Sequence, residues 1–239
     1  MKKHYLSLAV ATLLIFPTVN AMAEDAAVTG DVYVGVHNMY LSRGIDVLPD
    51  AEFVVQPGLD LSFGGFTVSL WANYDENSSE VTETDITLDY SFAVSEMVSL
   101  SFGNAYYVYD GTPDTNELYV ACTLNTLLSP TLKVYYDWDE SNETGIWATF
   151  AVSHSFSLME NLGLTLGGTI GYNGENYSTS EAYSDFQMAE LRAAIDWTIN
   201  KSFTLTPALT YSIPLSDDAE DLGGIEEEVL AGLTVTYAF

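Results

Sequence analysis

Positive charge is scarce in this chain of 239 residues, with six Lys and Arg against 34 Asp and Glu and a formal charge of −28. Nucleic-acid binding is excluded as a main activity, because neutralising phosphates takes Lys and Arg. Cysteine is almost absent. Cys122 alone leaves no internal disulfide and no cysteine-based zinc site, and it falls on the apolar side of its segment as a small hydrophobe. Long apolar runs are missing too. The one candidate, Leu6 to Phe16, is too short to span a bilayer, which takes roughly 20 residues. It follows Lys2 and Lys3 and precedes Ala21-Met22-Ala23, the pattern of a cleaved export signal over residues 1–23. Cleavage would leave one domain over 24–239, a charge of −30, and four bases: Arg43, Lys133, Arg192 and Lys201.

Strong acidity with few aromatics would suggest disorder. Aromatics make up 13% and apolar residues 48%, so disorder fails. A membrane protein with this composition has to cross as strands, because no helix candidate is long enough.

The pattern supports strands throughout. In the last stretch, Val229, Ala231, Leu233, Val235, Tyr237 and Phe239 alternate with Glu228, Gly232, Thr234, Thr236 and Ala238. That is a period of two, with each face meeting a different solvent. Twelve such segments are predicted, near 29–41, 52–63, 66–75, 83–93, 98–109, 115–126, 131–139, 144–157, 162–173, 187–198, 202–213 and 226–239.

Their connections sort by parity. Those after even segments are tight: Gly64-Gly65, Val94 to Met97, Leu127 to Pro130, Leu158 to Asn161 and Ile199 to Lys201. Those after odd segments include the long polar stretches Ser42 to Ala51, Glu76 to Thr82, Gly174 to Phe186 and Pro214 to Ile225. Two more, Asp110 to Asp114 and Glu140 to Glu143, are short but acidic. Short turns on one rim and longer loops on the other characterise outer-membrane barrels, and a soluble sandwich has no reason to sort loops this way. The expected fold is all-β: an antiparallel transmembrane barrel of about twelve strands, with short periplasmic turns and longer acidic extracellular loops.

Aromatics on the apolar face segregate by height. Phe63, Phe66, Phe92, Phe156, Trp197, Phe203 and Phe239 lie near the short turns, and Tyr74, Tyr106, Trp138, Tyr172 and Tyr211 near the long loops. Two girdles suit two headgroup layers. Pro57 and Pro207 interrupt strands, and a bulge is expected at each to absorb the lost hydrogen bond.

Tyr40-Leu41-Ser42-Arg43-Gly44-Ile45, Gln56-Pro57-Gly58-Leu59-Asp60 and Gly65-Phe66 leading to Trp71-Ala72-Asn73 resemble the opening of the TorF-type porin family. Glu83 to Tyr90, Glu117 to Val120 and Tyr135 to Asp139 resemble its middle, so the likeness is densest over residues 33–139. It implies a porin-like protein of the outer membrane with no catalytic site.

Lumen parity collects the candidate constriction residues: Arg43 (by extending the first strand), His37, Lys133, Arg192, Asp60, Asp89, Glu117, Asp137 and Asp196, with Asp31 and Glu190 beside them. These charges either select solutes or brace a narrow interior as ion pairs. With acids in excess, an open path would favour cations. Trp71, Tyr107, Tyr109, Tyr119, Tyr135 and Trp147 share that parity and either stack a ligand or fill volume. The acids Asp217, Asp218, Glu220, Asp221 and Glu226 to Glu228 read as a solvated loop, with bridging of divalent ions as the alternative. An enzyme is disfavoured: His154 faces outward while Ser153 and Ser155 face inward.

The sequence therefore leads to a porin-like channel in a Gram-negative outer membrane, passing small neutral or cationic solutes passively. The alternative is a non-conducting structural or adhesion barrel acting through its acidic loops. Expected partners are the lipid bilayer and lipopolysaccharide, the barrel-assembly machinery and small solutes. No cofactor and no metal are implied.

Overall fold

The computed structural model describes residues 27–139, 144–176 and 182–239. The predicted signal (1–23) and the Glu140 to Glu143 connection lie outside the described residues, as does part of the 174–186 connection. The elements in chain order are β1 (Thr29–His37), β2 (Leu41–Ser42), β3 (Ile45–Asp46), β4 (Val54–Phe63), β5 (Phe66–Asp75), β6 (Glu80–Ser95), β7 (Val98–Tyr109), β8 (Thr115–Leu124), β9 (Thr131–Asp137), β10 (Ile146–Met159), β11 (Leu162–Gly174), β12 (Ser184–Thr198), β13 (Phe203–Pro214), the short helix α1 (Asp217–Asp221) and β14 (Glu228–Ala238).

Twelve of these strands form one closed antiparallel barrel in which each pairs with its sequence neighbours and β1 closes on β14. The closing seam runs in register from Asp31 opposite Ala238 to His37 opposite Gly232. Gly30 and Phe239 complete it by exchanging both backbone hydrogen bonds. Closure leaves no edge strand to pair with another chain. The small β2–β3 hairpin stands apart from the barrel sheet.

Polarity is inverted relative to a soluble protein. On the outside of β6, Ile86 and Leu88 are 42% and 54% exposed, whereas the inward Asp85 and Asp89 are 1% and 5% exposed. The same contrast separates Leu166 from Thr165 on β11. Alternation persists because each strand has lipid-type surroundings on one side and polar ones on the other. The two aromatic bands stand on the outer wall, where Phe66 packs on Tyr90 at 4.5 Å and Phe203 on Tyr237 at 4.9 Å.

Two expectations need correction. Neither proline sits in a bulge. Pro57 pairs in register with Val34, and Pro207 with Leu233. Each instead faces a gap in the ladder on its other side, with the pairing resuming in the same register beyond it. A side-chain hydrogen bond crosses each gap: Gln56 Nε2 donates to Asn73 Oδ1 at 3.0 Å, and Thr206 Oγ1 donates to Asp196 Oδ1 at 2.8 Å. Proline's missing N–H is thus offset by a lumen side chain, without an inserted residue. The register shifts occur elsewhere, including Asn73/Tyr74 and Gly171/Tyr172. The second correction concerns the first strand, which ends at His37 rather than running on to 41.

Candidate pore and its inward-folded loop

The connection between β1 and β4 turns into the barrel. At its base Tyr40, 6% exposed, packs on Trp71 at 5.6 Å and joins fully buried Val54 in a small apolar cluster. Beyond Tyr40 the β2–β3 hairpin reverses through Arg43 and Gly44, with φ of 52° and 86°. Two positive φ values suit a two-residue hairpin turn, whose twist matches that of the strands. Gly44 lies so close to Met188 that an added Cβ would come within 2.8 Å of that side chain. A larger residue would push the turn off β12.

Arg43 is therefore not on the wall, where parity had placed it, but at the tip of a loop crossing the lumen. One guanidinium nitrogen meets Glu117 of β8 at 2.6 Å, and the other donates to Asn176 at 2.9 Å. Asn176 also donates to Glu117 at 3.0 Å. The guanidinium lies 5.2 Å from the Trp147 ring and 5.6 Å from that of Tyr135. Gln187 of β12 donates to the Arg43 carbonyl at 2.7 Å. The contacts fall on β8, β9, β10 and β12. Since β9 is six strands from β1 in either direction, the loop spans the barrel and docks on the far side.

Glu117 stands directly opposite Asp137 on β9, and both are buried. Like charges facing across a strand pair repel, and Arg43 supplies the compensating charge. Asp137 is held by the Thr115 hydroxyl at 2.7 Å. Glu83 and Asp85 are also buried in this half of the lumen, where Tyr107 and Tyr109 stack at 6.5 Å.

The other sequence-selected residues do not converge on that site. Asp89 accepts hydrogen bonds from Tyr119 and Ser91, both at 2.6 Å. The Lys133 ammonium stands 3.7 Å from the centre of the Tyr119 ring and 4.6 Å from that of Tyr135, a cation–π arrangement. Arg192 is half-buried on β12, between Gly167 and Thr210 of the adjoining strands. Asp196 is tied to Thr206 and Thr165. His37 lies against Gly35 and Gly232, and Asp60 sits near the short-turn rim. Among the described residues, Arg43–Glu117 is the one ion pair within 4.0 Å.

Glycines let inward rings lie flat. Tyr33 covers Gly58, its directly opposed partner, and Tyr119 covers its opposed partner Gly103. A Cβ at either glycine would collide with the ring, so these residues hold bulky side chains against the wall and out of the passage.

Sequence reasoning missed the structure of two long loops. Residues 217–221, read as a solvated run, form α1, capped by the Ser216 hydroxyl accepting from the Ala219 N–H at 3.1 Å. Asp217, Asp218 and Glu220 in the first turn favour the positive helix start. That Ser-Asp-Asp signature was readable. Not readable was the packing of buried Ala219 and Ile225 on Tyr183, with Ile45 of the inward hairpin against them. This cluster covers part of the long-loop rim. His154, considered for catalysis, has its Nδ1 2.8 Å from the Leu127 carbonyl and its ring edge-on to Phe156 at 4.5 Å.

No family model matches the chain, so the TorF-type resemblance has no such support. A search of curated proteins likewise finds no match. Solved structures do resemble it. The KdgM porin matches with a TM-score of 0.58 and 12% identity over 88% of this chain and 99% of that one. The NanC porin matches with a TM-score of 0.55 and 12% identity over 87% and 98%. An outer membrane channel from Pseudomonas putida F1 matches with a TM-score of 0.53 and 12% identity over 95% and 100%. At such identity the likeness is one of backbone, and it establishes the architecture: a closed antiparallel barrel of twelve strands, of the kind these outer-membrane porins have.

Proposed function

We propose that the protein is a porin-like channel of a Gram-negative outer membrane that passes small neutral or cationic solutes down their gradient. The observation carrying this reading is a lumen divided into two unlike halves inside an apolar outer wall. Buried Trp71, Tyr119 and Trp147 occupy the β5–β10 side, and the inward hairpin crosses to dock on β8 to β10 and on the long-loop end of β12. Facing them, the lumen surface of β11 to β14 is buried at Asn173, Gln187 and Ser212 near the long loops, but elsewhere carries small half-exposed residues, including Gly167, Thr169, Thr206, Ala208 and Thr234, with Arg192 and Glu190 among them. A loop that crosses the lumen and docks on the far wall narrows a barrel of this size.

Charge supports the preference. Asp31, Asp60, Glu83, Asp85, Asp89, Glu117, Asp137, Glu190 and Asp196 take the inward side, against Arg43, Lys133 and Arg192. A passage lined by one sign concentrates ions of the other. KdgM has been solved in complex with disordered oligogalacturonate, a polyanion, and the acid excess here argues for a different clientele. No catalytic role is part of the proposal.

The scaffold reading draws on a different observation, the Tyr183–Ala219–Ile225 cluster over the long-loop rim. Planar-bilayer recording of the refolded protein separates the two. Discrete open levels with a cation-directed reversal potential under a salt gradient are expected. Inserted but silent protein would overturn the channel, and an anion-directed potential would overturn its selectivity.

A further inference from the structure

Glu117, Asp89 and Lys133 are each met by protein groups: Arg43, Tyr119 with Ser91, and two tyrosine rings. Asp196 is likewise tied to Thr206 and Thr165. Glu190 and Arg192 of β12 are not. They share the lumen face two residues apart, about 6.6 Å between Cα positions. Although opposite in charge, they make no ion pair within 4.0 Å with each other or with any other described residue. Neither side chain makes a hydrogen bond among the described residues. Even Ser212, directly opposite Glu190, leaves its hydroxyl without a partner. Their neighbours are small: Thr169 and Ser212 flank Glu190, and Gly167 and Thr210 flank Arg192. Both charged residues stay half-exposed to the lumen. One step toward the long loops, Met188 carries the hairpin tip at Gly44. The pair therefore borders the level at which the hairpin narrows the barrel.

We infer that Glu190 and Arg192 bind small zwitterions of the α-amino-acid class, taking the carboxylate on Arg192 and the ammonium on Glu190. A planar guanidinium meets a carboxylate with two parallel hydrogen bonds, and a side-chain carboxylate accepts from an ammonium. Two hydrogen bonds of about 2.8 Å, with the short span from ammonium to carboxylate between them, lie within reach of side chains rooted that far apart. Opposite charges held apart on one wall also discriminate. A simple anion meets repulsion from Glu190, and a simple cation meets it from Arg192. The acid excess of the whole lumen does not decide this case, because a zwitterion is net neutral. The inference names a solute class within the channel proposed above and rests on that reading for transport, though not for binding.

Saturation-transfer NMR on the detergent-solubilised barrel tests it, because weak binding is read without conduction. The probes are L-alanine, propionate and L-alaninamide, which carry both charges, the negative one and the positive one. Wild type is expected to bind alanine about fivefold more tightly than either single-charge analogue, the upper range for one half-exposed ion pair. Arg192→Met and Glu190→Gln should each weaken alanine binding about fivefold. Lys201→Met, a charge removed from an exposed short turn, should leave it unchanged. The wild-type ranking needs no variant, so it decides the matter even if a substitution prevents folding. Equal binding of the three probes by wild type overturns the inference, as does undiminished alanine binding by both lumen variants. A silent bilayer would sink the channel and leave this site standing.

Discussion

Arg43 and Glu117 meet at 2.6 Å although 74 residues separate them, and that contact fastens a loop leaving β1 to the far wall of the barrel. Removing one partner from a buried ion pair strands the other charge, at a cost of about 3–5 kcal/mol. Arg43→Ala should therefore undock the hairpin. The expected result is a larger single-channel conductance with faster amide exchange over residues 38–53. Unchanged conductance and unchanged exchange would show that Tyr40 and Gln187 hold the loop alone.

The same contact predicts non-additivity. Arg43→Met combined with Glu117→Gln removes both charges and leaves neither stranded, so the double variant should be more stable than the sum of the single losses implies. Equilibrium unfolding in urea, with the refolded barrel in lipid vesicles, measures the coupling. Additive losses would mean the pair is solvated.

Neighbouring residues on β6 test the orientation of the wall. Leu88 faces outward at 54% exposure, while Thr87 faces the lumen. Arginine on the lipid side costs about 2–4 kcal/mol at mid-bilayer. Leu88→Arg should approach that loss, whereas Thr87→Arg should alter conductance and leave stability nearly unchanged. Equal losses at the two sites would contradict an apolar belt in contact with lipid.

Gly58 is the seat of the Tyr33 ring. Gly58→Ala should lift that ring off the wall, with an overpacking cost of about 1–3 kcal/mol and a narrower passage. Adding Tyr33→Ala should restore the conductance. If the glycine variant conducts as wild type does, the ring is not what borders the path.

The hydrogen bond spanning the Pro207 gap offers a smaller test. Thr206→Val deletes the hydroxyl that reaches Asp196, and a loss of about 0.5–1.5 kcal/mol is expected. Urea unfolding of the variant reads it directly, and no change would mean Asp196 relies on Thr165 or water instead.

The sequence by itself determined the number of barrel strands, their two faces, the aromatic bands and the sorting of short turns from long loops. Each of these is written locally: a period of two survives wherever the two sides of a strand meet different surroundings, as at Leu88 and Asp89. Parity fails as soon as the chain leaves the wall. It placed Arg43 on an extended first strand, but the chain turns inward after His37, and Tyr40 fixes that turn by packing on Trp71 and Val54. Only ring closure and register could bring Arg43 to Glu117, Asn176 and Trp147, or set Asp31 beside Asp60. Those meetings depend on strands far apart in the chain becoming opposite or adjacent walls of one enclosure, information that no local period carries.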